Sequence, residues 1–215
     1  LSLHDALPIC IFSVECFIDL IARKTGSDPL DFRRAHLEKN PRALGVLNLV
    51  AEKAGWGTPA PPSPHGARRG RGIALMNAFG SFLAAIADVA VNDTGDVRVT
   101  RLVIAADVGQ VVNPDTLEAQ IQGGATFGLS TVLFDKITFA GGKVEQGNFN
   151  DYRILRIDEM PVIEAHVVPS KENMGGIGEP GTVVTQPAVA NAVYAATGVQ
   201  LTRMPIDRAL IAKGA

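Results

Sequence analysis

The sequence contains few of the side chains that usually bind a metal ion. Of its 215 residues only two are cysteines, Cys10 and Cys16, and only four are histidines, which lie far apart. Neither a CxxC pair nor a cluster of cysteine and histidine occurs. The sequence therefore predicts no metal held by this chain's own side chains, so that any metal would arrive within a cofactor.

The chain also lacks the features of a nucleic-acid-binding protein. Its formal net charge is −2, so no excess of cations is available to neutralise phosphates. Aromatic residues make up 6% of the chain, too few for a series of base-stacking platforms. We expect no nucleic-acid partner.

A run of 19 mostly apolar residues, 73–91, approaches the length of a membrane span. Asn77, the pair Gly80-Ser81 and Asp88 interrupt it. Two buried strands, 73–79 and 82–91, explain the run better, and no membrane span is expected.

Composition divides the chain into four parts. LSLHDALPI (1–9) fits poorly with the helical segment after it and resembles a translated sequencing adaptor of the kind found in metagenomic assemblies. We set it apart as a non-native leader, the alternative being a short native loop. Residues 10–56 form a helical segment, and 57–72 form a linker or surface loop rich in proline and glycine. Residues 73–215 form an α+β subdomain.

Helical spacing and helix-start residues predict three helices, at 11–25, 28–40 and 41–54, forming a layer with one wet face. The loop after them carries Arg68, Arg69 and Arg71. A solvated basic loop and a phosphate contact both remain open there.

The remaining segments predict an α+β fold with mixed, mainly antiparallel sheets and packed helices. Two adjacent glycines, Gly123 and Gly124, lie inside one predicted helix, so a neighbouring helix or a ligand should pack closely against it. The predicted elements are a strand at 97–107, a helix at 113–134, a hairpin around Gly141-Gly142, a strand at 162–169, a helix at 182–197 and a strand at 201–206.

The stretch GGIGEPG, residues 175–181, is the most informative short run. Its glycines fit the GxGxxG pattern of a dinucleotide loop, but the preceding strand ends near Pro169, too early for that role. Glu179 would also repel a phosphate. A second interpretation makes Glu179 a helix-start residue ahead of Pro180. A third makes it a general base, since closely spaced glycines let the backbone approach a bulky group.

Four ordered stretches resemble the C-terminal end of the large subunit of molybdenum hydroxylases, the family of xanthine dehydrogenase and aldehyde oxidase. The resemblance is closest to the isoquinoline 1-oxidoreductase β-subunit branch and spans about residues 11–206. The stretches are VECFIDLIARKTGSDPLDFR (14–33), DVGQVVNPDTLEAQIQGG (107–124), QGNFNDYRILR (146–156) and GGIGEPG with the helix QPAVANAVYAATG after it.

The resemblance implies a molybdopterin-binding domain of an enzyme that oxidises an aldehyde or an N-heterocyclic carbon with oxygen derived from water. Glu179 matches the glutamate of the family's GxGEP motif and is expected to act as the general base. The implied cofactor is molybdopterin with molybdenum, in the cytosine dinucleotide form. The implied partner is an iron–sulfur small subunit that carries 2Fe–2S clusters.

The resemblance also implies the cofactor contacts. Gln120 matches the glutamine of a QxEG motif that contacts the pterin, whereas Gln122 stands where the family usually has glutamate. Asp107 and Asn113 match family positions but read equally well as a turn residue and a helix cap. The loop backbone expected to pack on the cofactor comprises Gly175, Gly176, Ile177 and Gly178.

Family members carry further cofactor and substrate loops in an N-terminal half that this sequence does not include. We therefore expect a C-terminal fragment that alone neither holds the cofactor firmly nor turns over substrate. Two alternatives stay open: a non-catalytic assembly module of the same fold, and a nucleotide-binding oxidoreductase domain. An antiparallel hairpin at 82–107 would exclude the second. The substrate, and the compartment (bacterial periplasm or cytoplasm), are left open.

Overall fold

A four-stranded sheet lies at the centre of the structure, a computed structural model that describes residues 3–65 and 68–213. Its strands are β1 (Arg68–Ala78), β2 (Ser81–Val91), β3 (Val97–Asp107) and β6 (Val162–Val167), and a separate short hairpin consists of β4 (Phe139–Ala140) and β5 (Lys143–Val144). The strands of the central sheet have the order β1-β2-β3-β6. Pairing is antiparallel between β1 and β2 and between β2 and β3, and parallel between β3 and β6.

Six helices accompany the strands in the described part of the chain. They are α1 (Leu3–Lys24), α2 (Pro29–His36), α3 (Pro41–Ala54), α4 (Pro114–Leu133), α5 (Pro180–Thr197) and α6 (Arg208–Lys213). The predicted α+β fold with mixed, mainly antiparallel sheets is confirmed. The antiparallel hairpin of β2 and β3, which pairs Phe82 with Asp107, excludes the doubly wound nucleotide-binding architecture.

Both faces of the sheet are covered, which explains why every residue of β2 is buried. Along this strand Leu83, Ala85 and Ala87 point into a core shared with α1, α4 and α5. The alternate residues Ala84 and Ile86 point into a second core shared with α2 and α3. The period-two alternation of a strand thus distributes one continuous apolar run between two cores.

The predicted loop at 57–72 is too long, because β1 already begins at Arg68. Residues 66 and 67 of that loop lie outside the described residues. The prediction was wrong because Gly70 and Gly72 suggested a loop. In the structure each lies directly against the backbone of α5, and a Cβ atom on Gly72 would overlap the amide nitrogen of Ala192. Glycine in a strand often marks such a close backbone approach.

The three arginines predicted to lie in a basic loop belong to the first strand. Each donates a hydrogen bond to a backbone carbonyl of this chain; the acceptors are Asn92 for Arg68, Ala60 for Arg69 and Gly55 for Arg71. Arg71 also pairs with the buried Asp88, with 2.6 Å between Nε and Oδ1. The arginines therefore connect the loop and α3 to the sheet.

The helical layer contains a buried group of charged residues, although the sequence predicted a layer with one solvent-exposed face. Glu15, Asp19 and Arg33 are all buried between α1 and α2. Arg33 Nη2 lies 2.9 Å from Glu15 Oε2, which also accepts the Leu75 amide at 2.9 Å. Burial raises the pKa of Glu15, while Arg33 opposes that shift.

Three further boundaries differ from the sequence-based prediction. Helix α1 begins at Leu3, so residues 3–9 of the segment set apart as a leader belong to this helix, and residues 1 and 2 lie outside the described residues. Helix α2 ends at His36 instead of residue 40. The predicted strand at 201–206 is irregular, since Pro205 lacks an amide proton and the amide of Ile206 bonds to the Val132 carbonyl on α4.

Candidate active site

The glycine loop lies in the connection from β6 to α5 and is attached to the sheet at several points. The Val168 amide donates to the Ala106 carbonyl at 2.8 Å, and the Gly175 amide donates to the Val108 carbonyl at 2.9 Å. The Gly176 amide donates to the carbonyl of Phe79 at 2.8 Å. The loop is therefore held over the ends of β1 and β3.

The four glycines of the loop differ in how much space surrounds the position that a Cβ atom would take. A Cβ atom on Gly175 would lie 2.7 Å from the carbonyl carbon of Gly80, and one on Gly176 would lie 3.0 Å from the Cβ of Phe79. One on Gly181 would lie 2.9 Å from the Ile121 carbonyl oxygen. Only Gly178 has no atom of the described chain within 4 Å of that position. Three of the four glycines thus lie in tight contact with other parts of the protein, most closely Gly175.

The predicted base, Glu179, is the residue that precedes α5. Its backbone carbonyl accepts the Thr182 amide at 2.9 Å, and its side chain makes no capping hydrogen bond. The positive end of the α5 dipole favours a negative charge at this place. The helix-start role therefore uses the backbone of Glu179, a half-buried residue, and not its carboxylate.

Gln120 is brought to the same place from α4. Its Nε2 donates a hydrogen bond of 2.7 Å to the carbonyl oxygen of Gly178. Gln122, two residues further on, is not part of the site and donates instead to Glu118 Oε1 at 2.9 Å. Of the two glutamines considered in the sequence, only Gln120 meets the loop.

An open depression with a volume of about 440 Å³ lies at this junction, lined by Phe79, Gly176, Gly178 and Glu179. Ile177 is also half-buried, but it packs against the core that the sheet shares with α1, α4 and α5, and so anchors the loop to the protein. The volume falls within the range of small-molecule sites. A carboxylate, exposed glycine backbone and an aromatic ring thus share one concave surface.

Phe79 is a site residue that the sequence analysis did not single out. Phe79 and Gly80 form the two-residue turn between β1 and β2, with φ values of +56° and +76°. Two positive φ values suit glycine, asparagine or aspartate, and a bulky residue in such a conformation costs about 1–3 kcal/mol. The signal available in the sequence was the pair Phe-Gly between two apolar strands.

Asp107 and Asn113 have local structural roles. Asn113 caps α4 by accepting the Thr116 amide at 3.1 Å. Asp107 ends β3 and receives Arg42 Nη2 at 2.7 Å. The hydrogen bond from Arg42 holds the pKa of Asp107 below its usual value, and the Gly109 amide lowers it further.

Within residues 3–65 and 68–213, no group of three or more histidine, cysteine, aspartate or glutamate residues is placed to hold a metal ion. No helix in the described ranges is long and apolar enough to cross a membrane.

Comparison with known proteins assigns the family. The sequence profile of the molybdopterin cofactor-binding domain matches residues 48–161, more than half of the chain. The chain belongs to this family. The matched segment runs from α3 to the start of β6, so the glycine loop lies beyond it.

Curated relatives extend the similarity to most of the chain. It is 35% identical over 204 residues to the β-subunit of isoquinoline 1-oxidoreductase from Brevundimonas diminuta, covering 93% of this chain and 25% of that protein. It is 36% identical over 209 residues to one of the subunits of nicotinate dehydrogenase from Pseudomonas putida, covering 91% of this chain and 18% of that protein. The chain thus spans about a quarter or less of the length of these two relatives.

A solved structure agrees in fold. The aldehyde oxidoreductase of Desulfovibrio gigas superposes with a TM-score of 0.72 over 97% of this chain and 41% of its own, at 14% identity. At this identity the likeness concerns the fold alone.

Proposed function

We propose that the chain forms part of the molybdopterin-binding large subunit of a molybdenum hydroxylase, with Glu179 as the general base. The observation that carries this proposal is the position of Glu179. Its carboxylate makes no helix-capping bond and lines the depression together with Gly178, whose carbonyl Gln120 holds. The family match supports the cofactor, although the matched segment does not include this loop.

The residues present fit a bulky pterin cofactor. Gly178 offers an exposed backbone whose Cβ position is open, so a large group can approach it more closely than it could any other residue type. Gly176 and the amide of Gln120 would lie beside such a group. Gly175 and Ile177 would act indirectly, because both are engaged with the protein's own core.

When bound, molybdopterin with molybdenum supplies the two-electron redox chemistry of hydroxylation, in which the new oxygen comes from water. Glu179 accepts the proton that the water-derived nucleophile loses as it attacks the substrate carbon. Gln120 fixes the carbonyl directly before Glu179 and so limits the movement of the base.

The names of the two relatives support the substrate class. One is named for isoquinoline and the other for nicotinate, both N-heteroaromatic compounds. We propose an N-heteroaromatic compound or an aldehyde as the substrate, the cytosine dinucleotide form of the cofactor, and a small subunit carrying 2Fe–2S clusters as the electron acceptor.

The test is Glu179→Gln in the full-length subunit assembled with its partner. Glu172→Gln, the same change on an exposed position of the same loop, is the matched control. We expect kcat to fall about 100-fold or more for Glu179→Gln, on the scale of general-base contributions, with molybdenum content unchanged. The control should keep kcat within about twofold. An unchanged kcat for Glu179→Gln would overturn the proposal and leave a non-catalytic assembly module as the explanation of the fold.

A further inference from the structure

The turn between β1 and β2 combines three unusual features beneath the glycine loop. Phe79 is the only non-glycine residue with a positive φ among the described residues. Its carbonyl accepts the Gly176 amide, and a Cβ atom on Gly176 would lie only 3.0 Å from the Cβ of Phe79. The hydroxyl of Ser81 is fully buried under Gly175 and makes no hydrogen bond to the described part of the protein.

Strained backbone and unpaired buried polar groups persist only where the surrounding structure imposes them, and they are concentrated at functional sites. Here both occur in one turn, and that turn contacts the segment carrying Glu179. The two strands behind it are antiparallel partners over eleven residue pairs, from Arg68↔Val91 to Ala78↔Ser81. A turn closed by such a long hairpin is a rigid support for a loop.

We propose that Phe79 is a positioning residue for Glu179. The inference rests on the proposed role of Glu179 as the base. The carbonyl of Phe79 holds the loop through the Gly176 amide, and Phe79 lines the depression together with Gly178 and Glu179. The ring keeps water from one side of the carboxylate and prevents the loop from collapsing onto the turn.

The test uses Phe79→Gly in the full-length assembled enzyme. Glycine adopts a positive φ readily, so this variant keeps the turn and removes only the ring. Because small displacements of a catalytic group are costly, we expect kcat to fall about tenfold while KM changes less than about twofold. Hydrogen exchange at the amides of Gly175 and Gly176, followed by mass spectrometry, should accelerate about tenfold. Phe79→Tyr, which retains a ring, should restore both values.

Phe149→Gly, which removes an exposed ring outside the site, is the matched control and should change neither value. Wild-type kcat in Phe79→Gly, or a lower kcat without faster exchange, would overturn the positioning role. Glu179→Gln measured in parallel separates the two proposals. If that variant is inactive while Phe79→Gly is normal, only the role of Phe79 fails; if Glu179→Gln is fully active, the base assignment itself fails.

Discussion

Gln120 on α4 and Gly178 in the glycine loop, 58 residues apart in the chain, are joined by a hydrogen bond of 2.7 Å from Nε2 to the carbonyl oxygen. This bond connects α4 to the residue directly before Glu179. It brings two stretches that are distant in the sequence into contact.

Replacing Gln120 by glutamate should loosen the loop, because a carboxylate of similar size faces the Gly178 carbonyl without a proton to donate. A neutral hydrogen bond contributes about 1 kcal/mol, which corresponds to roughly a fivefold change in a population. We expect a several-fold loss of kcat or molybdenum content in the full-length enzyme, measured by steady-state kinetics and elemental analysis. Gln122→Glu, two residues along the same helix and outside the site, is the control. Equal effects of the two changes would contradict a specific role for the bond.

The glycines of the loop should respond differently to alanine. Gly175→Ala places a methyl group against the Gly80 backbone and the Ser81 side chain, so we expect a loss of about 1–3 kcal/mol of stability. Thermal unfolding of the chain should show a midpoint lower by several degrees.

Gly178→Ala meets no atom of the described chain within 4 Å and should leave that midpoint unchanged. If the pterin packs on this backbone, the same change should reduce the molybdenum content of the full-length enzyme. Full molybdenum loading of Gly178→Ala would show that the cofactor does not approach Gly178 closely.

The ion pair of Arg42 and Asp107 should make stability fall in acid. The pKa of Asp107 is lower in the folded chain than its usual value of 3.8, chiefly because Arg42 donates to it. The pair therefore stabilises the fold above the unfolded pKa, and this contribution is lost as the pH falls through the lower folded value.

We expect Asp107→Asn to cost about 1.5–3 kcal/mol at pH 7, the scale of a hydrogen bond to a charged group. Its difference from the wild type should shrink below about pH 4. Urea unfolding at several pH values measures this difference. Asp93→Asn, which removes an exposed carboxylate in the turn after β2, is the control and should change stability at pH 7 by less than about 0.5 kcal/mol.

Local chemistry was enough to predict several elements. Asn113 and Pro114 marked the start of α4, and Gly141 and Gly142 marked a two-residue hairpin turn with positive φ at both positions. The close packing predicted at Gly123 and Gly124 is confirmed at Gly124, where a Cβ atom would lie 3.2 Å from the Thr182 amide nitrogen on α5, but not at Gly123, which has no atom of the described chain outside its own helix within 4 Å of its Cβ position. These signals depend on residues adjacent in the chain.

The features that the sequence did not predict depend on partners distant in the chain. Gly70 and Gly72 looked like loop residues because α5, which requires them, is more than a hundred residues away. The buried pairing of Arg33 was not predicted, because its partners Glu15 and Asp19 come from another helix. Phe79 looked like an ordinary apolar residue because its φ is set by the hairpin and the loop together.

Helix α5 is held between two glycine surfaces, Gly70 and Gly72 on β1 and Gly124 and Gly128 on α4. This arrangement determines where the chain can change in length. One residue inserted into α5 would turn every later side chain by about 100° and bring larger groups onto the glycines. The hairpin turn at Gly141-Gly142, which has nothing within 4 Å of either Cβ position, can accept added residues. Related domains should therefore vary in length at that turn and not in the helix that begins after Glu179. An engineered tag should be tolerated at the same turn.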